Sequence, residues 1–450
     1  MKRLATGFLF SLPGRELDGI LTGVMSRRLL PSLLTSIVLF SCLVSTCGVW
    51  SGDWPQWRGE GRSGVWEGVR LPQKMTAEDV KKRWSVPVGG GYSGIAVAGG
   101  RVFTMDRSKA TEREAEGTEK AARERVLCFD VETGKSRWAY EYSADYGDMD
   151  HDKGPRSTPT VRGDRVYTLG AVGHLACLRA ATGSPLWSID VATKFDIKMP
   201  IWGHSVSPLI EGPLVIVQVG ARPDGTVLAF DVDTGEERWR ALEDRPGYSS
   251  PIVMENRGKK QLVVWTADNI VGLVPSSGKV LWSVPFRTSS YDVAIISPVV
   301  ADDRLFVSGY WDGSGAFSLG KSPPESSWKV DMPACLMATP LYRDGHLYAL
   351  DKRQGVVCLD WKTGKVLWKD GHRITPKGRN PHASMVWAGT RVVILNTPGE
   401  LILGEFTPSG YEEHGRVPIV GETWSHPAFS GQDVFARSDT ELVCFRVSAK

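Results

Sequence analysis

Cys128-Phe129-Asp130-Val131-Glu132-Thr133-Gly134-Lys135-Ser136-Arg137-Trp138 returns later in the chain as Ala229-Phe230-Asp231-Val232-Asp233-Thr234-Gly235-Glu236-Glu237-Arg238-Trp239, and again as Cys358-Leu359-Asp360-Trp361-Lys362-Thr363-Gly364-Lys365-Val366-Leu367-Trp368. Looser copies end in Thr182-Gly183 with Trp187 and in Ser277-Gly278 with Trp282. The pattern describes a hairpin. An apolar strand ends at Asp, a Thr-Gly or Ser-Gly turn supplies the positive φ that Gly adopts at little cost, and the next strand carries Trp. The position before Phe or Leu accepts Cys128, Cys177, Cys358, Cys444 or Ala229, which marks a small buried site, where free Cys packs as a small hydrophobe.

A second unit precedes each copy: a small or hydroxyl residue before Pro and an apolar pair, as in Ser157-Thr158-Pro159-Thr160-Val161. It recurs around Pro208, Pro251, Pro298, Pro340 and Pro427, and without Pro around Ile95 and Ser384. That predicts eight first strands at a mean spacing of about 47 residues, which suits four short antiparallel strands per unit. The expected fold is all-β, an eight-bladed β-propeller of four-stranded antiparallel blades. The last unit runs out after Leu442-Val443-Cys444-Phe445 without a turn and a Trp strand. Trp84-Ser85-Val86-Pro87-Val88 supplies the missing strand, so the amino-terminal end should pair into the last blade and close the ring, removing free sheet edges. Two copies are degenerate: the fifth has Pro323-Pro324 before Trp328, and the seventh has Thr407-Pro408-Ser409-Gly410-Tyr411 without Trp. Arg107 to Arg125, rich in charge and Ala, reads as a solvated insertion or short exposed helix.

The composition agrees with one ring of many tight turns. Gly makes up 49 of 450 residues against a usual ~7%, and there are 17 Trp. The formal charge of +3 comes from residues 1–47, where Lys2, Arg3, Arg15, Arg27 and Arg28 outnumber Glu16 and Asp18. The remainder is balanced, which argues against nucleic acid as a partner. Ser26-Arg27-Arg28 followed by an uncharged apolar stretch from Leu29 to Thr46 reads as a secretory leader, with Met25 as a second candidate start. A cleaved signal, lipidation at Cys47 and an uncleaved anchor are all open readings of it. The division is therefore leader 1–47, an amino-terminal extension 48–81, and a propeller over 82–450.

The Asp-x-x-Thr-Gly-x-x-x-Trp frame resembles the tryptophan-docking repeat of the pyrroloquinoline quinone (PQQ)-like eight-bladed propellers over about residues 84–447. That family includes quinoprotein alcohol dehydrogenases, the propeller lipoprotein of the outer-membrane barrel-assembly machinery, and many exported bacterial proteins. Asp53-Trp54-Pro55-Gln56-Trp57-Arg58-Gly59 resembles the opening of the exported group. The resemblance implies an exported, periplasmic or envelope-associated monomer, attached to the membrane through its amino terminus, with an envelope protein or a small polar ligand as partner. For the enzymatic branch it implies PQQ with calcium, a flat apolar floor, an Asp base and a vicinal Cys pair. This chain has no Cys-Cys dipeptide, and Trp202 and Trp424 are its candidates for the floor. The reading with no cofactor and no catalytic residue comes first, a diverged quinoprotein oxidoreductase second.

Other chemistry finds little support. Asp148-Met149-Asp150-His151-Asp152 starts like a calcium loop, but Lys153 stands where Gly is needed and Pro159 where Glu is needed. No Gly-x-Ser-x-Gly elbow, phosphate-binding Gly loop or Cys-x-x-Cys is present. In a propeller the residues before each innermost strand crowd one mouth of the central channel. Here they are Tyr92, Arg156, Trp202 with His204, Tyr248, His382, and Trp424 with His426. These groups are either the grip for a small polar or anionic ligand or a peptide segment, or strand-end caps that fill the mouth with hydrogen bonds.

Overall fold

The computed structural model describes residues 52–108 and 122–449. Each copy of the repeat folds for a local reason. Asp130 turns its carboxylate back on the chain, with Oδ1 accepting from the backbone N–H of Thr133 at 3.0 Å and from its hydroxyl at 2.8 Å. Gly134 follows at φ 69°. The same turn ties Asp231 to Thr234 and Asp360 to Thr363. It joins the third and fourth strands of a blade, and across that ladder the small position faces the Trp: Cys128 pairs with Trp138, Cys177 with Trp187, Ala229 with Trp239 and Cys358 with Trp368. The small side chain leaves room for the indole.

The indole then reaches the following blade. Trp84 Nε1 donates to the carbonyl of Val131 at 3.0 Å, Trp138 to Ala180 at 3.0 Å, Trp187 to Val232 at 3.1 Å, Trp239 to Pro275 at 3.1 Å, Trp328 to Trp361 at 3.0 Å and Trp368 to Thr407 at 2.8 Å. Every acceptor lies at or beside the next blade's third turn. Trp282 departs from the pattern, because the turn it would meet is the Pro323-Pro324 copy. Its Nε1 donates instead to Gln261 Oε1 of its own blade at 2.8 Å, and the indole covers Gly272, whose missing Cβ would lie 2.1 Å from Trp282 Cε2. In the seventh blade the fourth strand carries no Trp, and Tyr411, opposite Phe406, packs over Gly404 of its own blade.

The described residues form eight antiparallel sheets of four strands. The innermost strands are short: Ala96–Ala98, Thr160–Arg162, Leu209–Glu211, Ile252–Asn256, Val299–Ala301, Leu341–Arg343, Ala383–Ala388 and Ala428–Ser430. They fall in the eight expected places. Val80–Pro87 pairs antiparallel with Glu441–Val447, Trp84 opposite Cys444, and completes the last blade. Ring closure by the amino-terminal strand is therefore present as expected. The core lies between blades, where Ile, Val, Leu and Phe of the second and third strands are buried on both faces.

The insertion in the first blade is shorter than expected. Arg101–Ser108 and Arg123–Asp130 extend the ladder to Ser108 opposite Arg123, so Arg107, Ser108 and Arg123 to Arg125 belong to strands. Arg125 holds the extension by donating Nε and Nη2 to the buried carboxylate of Asp106 at 2.7 and 2.6 Å. Residues 109–121 and the leader 1–47 lie outside the described residues.

Candidate functional site

The segment Trp54 to Trp66, from the expected amino-terminal extension, enters the ring and hydrogen-bonds to all eight blades. Trp54 exchanges two backbone bonds of 2.8 Å with Val97, the Pro55 carbonyl accepts from Val161 N–H at 2.7 Å, and Trp66 N–H donates to the Trp387 carbonyl at 2.7 Å. Trp66 Nε1 donates to the Gly431 carbonyl at 2.9 Å. Arg62 serves two blades at once, with Nη1 on the Pro251 carbonyl at 2.7 Å and Nη2 on the carbonyls of Ser207 and Pro208 at 3.1 and 2.8 Å. Arg58 Nη1 donates to the Thr339 carbonyl at 3.3 Å, and Trp57 Nε1 to Ser297 Oγ at 3.1 Å. Such a path needs tight reversals, and Arg58, Gly59, Gly61, Arg62 and Gly64 all have positive φ. Burial lowers the guanidinium pKa to about 10 at Arg58 and about 9 at Arg62, with no acid among the causes.

This plug closes one side of a cavity of about 390 Å³ whose walls are the chain segments leading into the innermost strands. Two aromatic banks flank it. On one, Tyr248, Trp202, Tyr291 and Trp311 follow one another with ring centroids 5.4, 6.0 and 5.8 Å apart, and Tyr310 lies 4.6 Å from Trp311. On the other, Tyr92 stacks on Trp424 at 5.6 Å, His151 stands 5.5 Å from Trp424, and the Arg156 guanidinium lies 5.6 Å from the Tyr92 ring. Tyr291 is 60% exposed and Trp311 46%, so the first bank offers apolar surface to solvent at the rim. Asp150 joins the banks by accepting from Trp202 Nε1 at 3.1 Å.

Seven of the expected residues line this cavity: Tyr92, Arg156, Trp202, Tyr248, His382, Trp424 and His426. His204 does not. It is buried behind the wall, its N–H bonded to the Ala171 carbonyl at 2.8 Å, because the turn at Gly203 points the ring into the blade packing. Burial pushes the imidazole pKa down to about 4 at His204 and His382 and about 3 at His426. Arg156 donates to the carbonyls of Gly154, Asp150 and His151 at 2.7, 3.0 and 2.6 Å, so it braces the loop it stands on. The floor is Trp57, whose ring lies 4.7 Å from His426, while Trp202 and Trp424 are walls. Tyr291 precedes an innermost strand like the residues that were expected, so the same rule extended to the fifth blade finds it. Tyr310 and Trp311 come from a second-to-third strand turn, and Trp57 from the plug, places that rule does not reach. The Asp145 to Asp152 stretch gathers no ion-binding set: no group of three or more His, Cys, Asp or Glu is suited to a metal among the described residues.

A family model described as outer membrane protein assembly factor BamB matches residues 122–322 and 293–450. Outer membrane protein assembly factor BamB of Shewanella oneidensis is 24% identical over 301 residues, covering 63% of this chain and 60% of that protein. Its counterpart in Yersinia pestis is 22% identical over 222 residues, covering 47% and 55%. The matches thus span less than two thirds of these relatives' own length. Quinohemoprotein alcohol dehydrogenase ADH-IIG of Pseudomonas putida is 31% identical over 120 residues, which are 26% of this chain and 16% of that enzyme. Among solved structures, BamB from Moraxella catarrhalis superposes with a TM-score of 0.57 at 17% identity over 82% of this chain and 97% of its own. The quinohemoprotein alcohol dehydrogenase of Comamonas testosteroni gives 0.64 at 13% over 89% and 81%. At such identity these superpositions establish the fold. The repeat, the eight closed blades and the family match over residues 122–450 agree, and the chain belongs to the PQQ-like propeller family described as outer membrane protein assembly factor BamB.

Proposed function

We propose that this protein is an extracytoplasmic, non-catalytic binding or assembly scaffold that takes a small ligand or an extended peptide segment of an envelope partner at the mouth of its central channel. The observation that carries this reading is the pair of aromatic banks around the plugged cavity, apolar walls with a few convergent polar groups. Relatives named as outer membrane assembly factors support the scaffold role. The monomeric state and attachment through the amino terminus belong to the same proposal. The lining does not suit the calcium of a quinone enzyme, which needs six to eight oxygen ligands. Among the described residues Asp150 is the one carboxylate in the wall and is engaged by Trp202, and the five described cysteines are buried and free.

Crosslinking in the native envelope tests the scaffold. A specific partner should be recovered with the wild-type chain and depleted several-fold when Trp202 and Tyr291 are changed to Ala; recovery undiminished by those changes overturns the mouth as the binding site. Adding PQQ and calcium to the purified protein tests the competing reading. Stoichiometric quinone absorbance with dye reduction by alcohols would replace the scaffold with an oxidoreductase.

A further inference from the structure

We propose that the mouth takes an extended acidic peptide segment of the partner, anchored by an aromatic side chain. The anchor enters the cavity beside Trp311 and Tyr291, and the carboxylates next to it in sequence lie on a cationic rim of Lys352, Arg353, Lys377 and Arg379. The inference rests on the channel mouth being the binding site and names the chemistry of the segment that enters it.

Two neighbouring loops build the rim. Lys352 and Arg353 belong to the turn between the second and third strands of the sixth blade, and Lys377 and Arg379 stand in the lead-in to the innermost strand of the seventh. His372, in that lead-in, ties the loops together by donating Nε2 to the Arg353 carbonyl at 2.9 Å. Tyr310 joins the rim to the aromatic bank. Its hydroxyl donates to the Arg379 carbonyl at 3.2 Å and its own carbonyl accepts from the Lys352 ammonium, which lies 3.4 Å from the Tyr310 ring centroid and 5.3 Å from that of Trp311. Arg353, Lys377 and Arg379 are exposed, and Arg379 lines the cavity itself.

The acids of the same loops are committed inward. Buried Asp351 accepts from the N–H groups of Ala334, Arg353 and Gln354 at 2.8, 2.8 and 2.9 Å, and buried Asp370 from those of Val356, His372 and Ile374 at 2.8, 3.0 and 2.9 Å. None of the four cations makes an ion pair among the described residues. Asp312 and Asp150 act on Lys352 and Arg379 from beyond ion-pair distance, while Asp312 accepts from Ser289 N–H at 2.9 Å and Asp150 from Trp202 Nε1. Exposed charges of one sign beside exposed aromatic rings attract an acidic partner and fix its register. A peptide fits better than a nucleic acid, which also brings rings and anions. The cavity is apolar and closed at its floor by Trp57, which suits a side chain that ends there. Beyond the aromatic bank the mouth carries Asp268 and Asp292, both paired with Arg245, so a phosphate chain finds no cationic track to continue on.

Calorimetric titration at low salt tests this with three blocked peptides: acetyl-Gly-Phe-Asp-Glu-Asp-Gly-amide, its neutral counterpart with Asn-Gln-Asn, and an acidic one with Ala for Phe. The acidic Phe peptide should bind about tenfold more tightly than the neutral one, which is what three exposed ion pairs supply together. Added salt should shrink that preference by screening. Replacing Phe by Ala should weaken binding at least as much. Changing Arg353, Lys377 and Arg379 together to Gln should abolish the preference for acid. Lys279→Gln, Lys321→Gln and Lys362→Gln together remove the same charge from exposed third-to-fourth strand turns and should leave the preference intact. Should the rim variant fail to fold, the salt dependence reads the same contribution in the wild type. Equal binding of the acidic and neutral Phe peptides, an equal loss of preference in both triple variants, a preference indifferent to salt, or tighter binding of oligothymidylate than of the acidic peptide would overturn the acidic segment and leave the mouth reading standing. Peptide binding that is indifferent to Trp311→Ala, or no binding of any probe, would overturn the mouth reading itself.

Discussion

Gly235 shows how two constraints meet at one residue. Its φ is 72°, which any L side chain occupies at a cost, and a Cβ there would lie 2.7 Å from the indole of Trp187, the preceding blade's docked residue. Gly134, Gly183, Gly278 and Gly364 stand against Trp84, Trp138, Trp239 and Trp328 in the same way. Gly235→Ala should therefore lower stability by about 2–4 kcal/mol, part backbone strain and part displacement of Trp187. Urea unfolding followed by tryptophan fluorescence checks it, and a loss below about 1 kcal/mol would mean that the turn alone, without docking, sets the requirement for Gly. The need for positive φ is legible in the dipeptide Thr234-Gly235 itself, because its period and residue types mark a hairpin turn. The indole over the glycine belongs to a residue 48 positions earlier in the chain, and no local pattern connects them.

At the scale of elements, two pieces from the amino-terminal side hold the ring. The closing strand Val80–Pro87 was legible because the last unit lacks a fourth strand and Trp84 carries the expected register. The plug was not, because Arg62 reads backbone carbonyls, and carbonyls leave no mark in the sequence of the blades they come from. Arg62 ties the third blade to the fourth through three carbonyls, each left without that donor if the side chain is removed. Arg62→Met should cost about 3 kcal/mol for that reason, even though it also relieves the burial of a charge. Arg62→Lys should recover only part of it, since a single ammonium lacks the planar fork that spans two blades. Urea midpoints of the three proteins provide the check, and a Lys variant as stable as the wild type would show that charge rather than fork geometry is what the plug needs. The site follows the same division. Tyr92, Trp202 and Trp424 were legible as lead-ins to innermost strands, whereas Trp57 reaches the floor by a path through the channel that only the closed ring defines.

Over the whole molecule, burial of neutral histidine gives stability a direction in pH. His174, His204 and His382 have their pKa lowered to about 4 and His426 to about 3, in each case chiefly by desolvation. In the unfolded chain these rings titrate near 6.5, so between about pH 6.5 and 4 the unfolded state binds protons that the folded state refuses. Stability is then complete above pH 6.5 and falls as the solution is acidified, by about 1 kcal/mol per pH unit for each ring that stays neutral. Glu124 and Asp53 work in the opposite sense, since burial raises their pKa and the folded state takes up their protons first. They are two against four, and they act nearer the carboxylate range, so the net slope between pH 6.5 and 5 belongs to the histidines. Urea unfolding at pH 7.5, 6 and 5 should give a midpoint that is highest at pH 7.5 and lowest at pH 5. His204→Gln, which lies outside the cavity, should flatten that slope by about a quarter, whatever it does to stability at pH 7.5. A midpoint that holds level or rises from pH 7.5 to 5 would show that the buried rings find proton acceptors on folding, contrary to the orphan nitrogens of His204, His382 and His426.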